Sequence, residues 1–95
     1  MPILQIEHRV RDFDRWKEAF DRDPVGREQG GVRRYRIARL AEDPNHVLIE
    51  LEFGSQGEAE TFRTGLQQLW GRVGDDLGLE GPQARILDTV ETKSY

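Results

Sequence analysis

The sequence has no cysteine, two lysines, two histidines and four prolines, and no apolar run approaches the roughly 18 residues that a membrane-spanning helix needs. Without cysteine, disulfides and thiolate metal sites are excluded, and the redox compartment stays open. Residues 1–10 lack the basic start and apolar stretch of a signal peptide, so we expect no membrane segment and a cytoplasmic protein. Positive charge is short as well, with 14 basic residues against 18 acidic ones and a formal net charge of −4. Such a chain has no general attraction for phosphate backbones or anionic lipid, which argues against nucleic acid and membrane as partners. Twelve of the basic residues are arginine; we read this as base-composition bias and not as a sign of Arg-dependent chemistry. With 95 residues the expectation is a single domain, 1–95, that buries roughly two thirds or less of its unfolded surface, so a second subunit would help to cover it.

What is present is organised around His8 to Asp21, which reads H-x-V-x-D-F-D-x-W-K-x-x-F-D. Leu4, Ile6 and Val10 recur at every second position with His8 among them, the period of a strand with one buried face. Asp12 then caps a helix by accepting first-turn amides, and Asp14 adds negative charge at the positive end of the helix dipole. Phe13, Trp16 and Phe20 place three rings on one stripe of that helix. Asp23-Pro24 and the glycines at 26, 30 and 31 predict an irregular connection. A second strand follows over Val32–Leu40, with Tyr35 and Ile37 on one face and Arg34 and Arg36 on the other. Asp43-Pro44-Asn45 is turn chemistry. His46–Phe53 alternates as a third strand, with Val47, Ile49, Leu51 and Phe53 on its apolar face.

Ser55 and Glu58 have the spacing of a capping box, in which each side chain reaches the other's backbone amide. Ala59, Phe62, Leu66, Leu69 and Val73 continue the second helix, with Trp70 on the flank of the stripe. Gly71 and Gly74 should weaken the helix, residues 75–82 should form a loop, Ala84–Val90 a last strand, and Glu91–Tyr95 a tail or an arm toward a partner. The order predicts an α+β, ferredoxin-like βαββαβ sandwich, with a four-stranded antiparallel sheet, strands 1 and 3 central and both helices on one face. Aligning the apolar faces of strands 1 and 3 puts His8 near Ile49 and His46 on the opposite face or at the strand mouth.

Three segments, the His8–Asp21 motif, G-V-x-x-Y-R-x-x-R at Gly31–Arg39 and D-P-N-x-V-x-x-x-x-E-F at Asp43–Phe53, together with the following helix carrying Ala59 and Phe62, resemble the small dimeric α+β barrel proteins related to the antibiotic-biosynthesis monooxygenases. The resemblance runs from about residue 3 to residue 90. It implies a homodimer that packs its open sheet faces together, and a cavity between each sheet and its own helices. Haem-degrading monooxygenases are less similar: their pattern needs Asn, Trp and His in concert, and Gln5 and Glu80 stand where the Asn and His would be sought beside Trp70.

His8 interrupts an apolar strand face and is the candidate catalytic residue, because an imidazole changes protonation near neutral pH; a histidine satisfied by neighbours at the core edge is the alternative. Tyr35, Phe62 and Trp70 are candidate ligand-binding residues, since flat apolar walls with a few fixed polar groups suit an aromatic ligand. Trp16 reads as core. His8 and Trp70 are expected to face one cavity, reached near Gly71–Gly81. Two histidines on different faces make no metal site, and no cofactor is expected. The arginines of strand 2 fit an edge strand, or salt bridges to Glu50 and Glu52 across a dimer. The open sheet face offers Gln5, Glu7, Glu50 and Glu52 where an RNA-recognition motif would need aromatic rings, which rules that reading out. Three functions remain: a dimer that binds a small apolar or aromatic molecule, a cofactor-free monooxygenase or aromatic polyketide cyclase, and a purely structural dimer.

Overall fold

The computed structural model describes residues 1–76 and 78–95; Leu77, in the segment expected to be a loop, lies outside the described residues. The elements follow the order β1 (Pro2–Arg9), α1 (Phe13–Asp21), β2 (Val32–Leu40), β3 (Asp43–Phe53), α2 (Gln56–Val73) and β4 (Glu80–Asp88). The strands form one antiparallel sheet in the order β2-β3-β1-β4, the ferredoxin-like arrangement. Leu4, Ile6, His8 and Val10 alternate inward along the first segment, as do Val47, Ile49, Leu51 and Phe53 along β3. Leu4 pairs with Leu51 and Ile6 with Ile49, so the two central strands present one continuous apolar face. Each of these side chains contributes roughly 1.5–3 kcal/mol by full burial. Trp16 from α1 and Ala59 and Phe62 from α2 complete the core, which places both helices on that face.

The two helices meet the sheet differently. α2 lies close on β1, β3 and β4, whereas among the described residues α1 makes no comparably close backbone approach to any strand. α1 is held away by its rings. Phe13, Trp16 and Phe20 stand in a row with centroids 5.7 and 5.2 Å apart, and Trp16 is the only buried residue of the helix. The connection to β2 is tight: Asp23 adopts φ 56° and accepts the Arg27 backbone amide at 2.8 Å, the local bonding that lets an Asp occupy the left-handed region. Gly30 is packed so closely under Phe62 that an added Cβ would lie 2.7 Å from the ring.

Several boundaries differ from the sequence expectation. β3 begins at Asp43 and not His46: Leu40 pairs with Asp43 and Arg39 with Val47, so Ala41-Glu42 is the turn and Pro44–His46 have no partner in β2, where a proline without an amide proton is tolerated, while His46 still pairs with Arg9 of β1. His8 lies opposite Val47, not Ile49. α2, in contrast, ends at Val73 as its apolar stripe predicts, running through Gly71 because a single glycine costs about 1 kcal/mol in a helix and tertiary packing outweighs it. β4 begins at Glu80 and ends at Asp88, taking in Gly81 and Pro82. The Ser55 hydroxyl accepts the Glu58 amide and donates to the Glu58 carboxylate, both at 3.2 Å, so the return half of the box is a side-chain bond. Arg34 and Arg36 pair with Glu52 at 2.7 Å and Glu50 at 2.6 Å within the chain, across adjacent strands.

Asp12 caps α1 through Oδ1, which accepts the amides of Asp14 at 3.0 Å and Arg15 at 3.4 Å. Asp12→Ala is expected to lower stability by about 1 kcal/mol in urea unfolding with the fold retained; an unchanged midpoint would mean that the cap contributes nothing.

Candidate functional site

A cavity of about 430 Å³ lies between the sheet and the two helices. Its floor is Ile6, Ile49 and Leu51 of the central strands, one wall is Trp16, Ala19 and Phe20 of α1, and the other is Phe62, Leu66, Leu69, Trp70 and Val73 of α2. The space exists because α1 stands off the sheet, so that rings reach the strands but do not fill the volume beneath the helix. Arg22, Pro24 and Asp76 are the exposed members of the lining. They mark the mouth, between the α1–β2 connection and the segment after α2.

His8 is the one polar side chain of the sheet in this lining, and it is only 3% exposed. Its ring lies edge-on to both tryptophans, 5.5 Å from Trp16 and 6.4 Å from Trp70. Nδ1 has no hydrogen-bond partner among the described residues. Burial disfavours the charged imidazolium and lowers the His8 pKa from 6.5 to about 4; hydrogen bonding of the ring to the backbone of His8 and Arg9 offsets part of this, and the charge of His46 adds to it. The ring is therefore neutral at pH 7. The backbone explains how a histidine comes to be held there: the β1–β4 register shifts between Glu7, opposite Gln83, and Arg9, opposite Glu80, leaving His8 without a pairing partner where β4 bulges at Gly81 (φ 60°) and Pro82.

The structure brings together His8, Phe62 and Trp70 and leaves Tyr35 outside. Tyr35 faces the helix side of β2, but on the edge strand it is 46% exposed; it meets the Phe20 ring edge-on at 5.1 Å and borders a shallower groove with Arg27 and Val32. Asp76 and Leu79 bring the segment after α2 to the cavity, and the α1–β2 connection forms the other lip. Arg27, which sequence reasoning passed over, lines both the cavity and the groove. The cluster of Asp23, Pro24 and glycines marked an irregular connection there without indicating where the Arg27 side chain would lie. On the open sheet face, His46 Nε2 lies 2.7 Å from Glu7 Oε2, and Arg85 reaches the other Glu7 oxygen at 3.2 Å. Among the described residues no three His, Asp or Glu side chains converge as a metal site, and no helix is long and apolar enough to cross a membrane.

No family model matches the chain, and no curated protein matches it in sequence. Solved structures do share its fold. SnoaB, a cofactor-independent oxygenase from Streptomyces nogalater, superposes with a TM-score of 0.72 at 15% identity, over 96% of this chain and 94% of that one. A protein from Deinococcus radiodurans described as an antibiotic biosynthesis monooxygenase gives 0.68 at 14%, over 100% and 98%. A dimeric ferredoxin-like protein from an uncultured marine organism gives 0.66 at 10%, over 97% of each chain. At these identities the likeness is one of fold, and it agrees with the resemblance carried by the sequence motifs.

The depressed His8 pKa fixes a pH dependence. The unfolded chain binds a proton at His8 near pH 6.5, while the folded one does so only near 4, so stability present above pH 6.5 is lost as the pH falls toward 4, by about 3 kcal/mol for this residue. His8→Leu should flatten the stability profile between pH 6.5 and 4 by that amount relative to wild type; parallel profiles would show that His8 is not buried in its neutral form.

Proposed function

We propose that the protein is a cytoplasmic homodimer that binds a small apolar or aromatic molecule in the cavity between its sheet and helices. The observation that carries this reading is a buried, neutral imidazole on the wall of a largely apolar space of about 430 Å³. Buried polar groups are normally paired, and ligand sites are apolar pockets with a few polar groups that fix orientation. A flat ligand between Trp16 and Trp70, with a hydroxyl bonded to His8, would use all three side chains. The dimer reading is supported by the solved protein described as a dimeric ferredoxin-like protein and by the open sheet face, where carboxylates on central strands alternate with arginines on the edges. A two-fold axis can bring such a face against itself with opposite charges opposed.

A second reading, a cofactor-free monooxygenase or aromatic polyketide cyclase using the same cavity, is favoured by the fold shared with a cofactor-independent oxygenase. It asks His8 to remove a proton. A base with a pKa of about 4 is poorly matched to that task at neutral pH, and among the described residues no carboxylate bonds to the ring. Binding is therefore preferred over turnover. A purely structural role leaves the cavity and its imidazole without purpose.

The test is calorimetric titration with 2-naphthol, with oxygen uptake followed in parallel and mass measured by sedimentation. The expected outcome is a dimer that binds one naphthol per chain without consuming oxygen, and a Trp70→Ala variant that loses binding by about tenfold or more, the size of one lost stacking wall. Oxygen uptake in wild type would favour the second reading. A monomer that binds no naphthol would contradict the proposal.

A further inference from the structure

The one polar side chain that the sheet gives to the cavity is His8, and the least exposed cation of the lining is Arg27. Arg27 is 17% exposed and sits over the Phe20 ring at 4.0 Å. Phe20 is 5.2 Å from Trp16, and Trp16 is 5.5 Å from His8. Imidazole and guanidinium are thus joined in series by two rings one helical turn apart, at opposite ends of one aromatic wall. The guanidinium is only partly used. Nη1 donates to the Phe20 carbonyl at 2.7 Å and lies 3.7 Å from Asp23 Oδ1, an oxygen already engaged by the Arg27 amide. Nε and Nη2 make no hydrogen bond among the described residues, although the side chain lines the cavity.

We propose that Arg27 is the specificity residue of this cavity and that the ligand is an aromatic acid, with its hydrogen-bonding end at His8 and a carboxylate or comparable oxyanion at Arg27. The inference rests on the binding function proposed above and names the ligand's charge. Guanidinium N–H groups hold oxyanions by charge-assisted bonds stronger than neutral ones, and the fork is rigid when stacked on a ring. Four charged groups border the mouth: Arg22, Asp23, Arg27 and Asp76. Arg22 and Asp76 are exposed, so solvent screens them; Asp23 is committed to the connection. Arg27, the most buried cation there, is left to discriminate.

Fluorescence titration through Trp16 and Trp70 with 2-naphthol and 6-hydroxy-2-naphthoate tests this. Wild type should prefer the carboxylate by about tenfold. Arg27→Gln should lose the preference between the two probes, and Arg27→Lys, which keeps the charge, should retain part of it. Equal affinities in wild type, or an Arg27→Gln variant that weakens both probes alike, would overturn the assignment. Should Arg27→Gln fail to fold, wild type and Arg27→Lys decide: a preference in both supports the assignment, and its absence from either overturns it. If naphthol binds and the carboxylate is not preferred, only this inference falls; if neither binds, the binding function falls with it.

Discussion

Helix α1 is fixed to the sheet by side chains, not by close backbone packing, and the cavity follows from that. Phe13, Trp16 and Phe20 act as struts between the helix and the strands, and only Trp16 is buried. Arginines brace the row from the β2 side: Arg39 lies over Phe13 at 4.4 Å and Arg27 over Phe20 at 4.0 Å, contacts worth about 0.5–2 kcal/mol each depending on desolvation. α2, by contrast, lies directly on β1, β3 and β4, with Ala59 and Phe62 pressed into the core. One helix closes the sheet and the other leaves room. A smaller residue at 16 or 20 would let α1 settle toward the strands and close the space.

The second constraint is the bulge of β4. A regular β1–β4 ladder would continue past His8, but the register shift between Glu7 and Arg9 frees that position where Gly81 and Pro82 interrupt β4. His8 stays on the inward parity of β1, so the chain places a polar ring in an apolar environment and leaves its Nδ1 unpaired. An unpartnered buried polar atom costs roughly 1–3 kcal/mol.

Much of this was legible in the sequence because it depends on short-range periodicity. The alternation at Leu4, Ile6, His8 and Val10 and at Val47 to Phe53 set the buried face, and Asp12 and Ser55 marked both helix starts. What was not legible depends on non-local pairing. Gly81-Pro82 reads locally as a loop, and only pairing with β1 turns it into a bulged strand opposite His8. Tyr35 has the inward parity of β2, yet parity does not reveal that an edge strand leaves it half-exposed beside the cavity. Arg27 follows a proline and a glycine and gives no periodic signal; its position depends on the left-handed turn at Asp23, whose φ of 56° no pattern of neighbours would announce.

The central claim is that His8 is a neutral, buried imidazole on the wall of a cavity open to small molecules. Nitrogen NMR of the histidine ring tests it most directly. The ring should stay neutral from pH 8 down to a midpoint near 4, and the His8 ring resonances should be displaced when 2-naphthol is added at pH 7. A midpoint near the ordinary histidine value of about 6.5, with ring resonances indifferent to the naphthol, would contradict it.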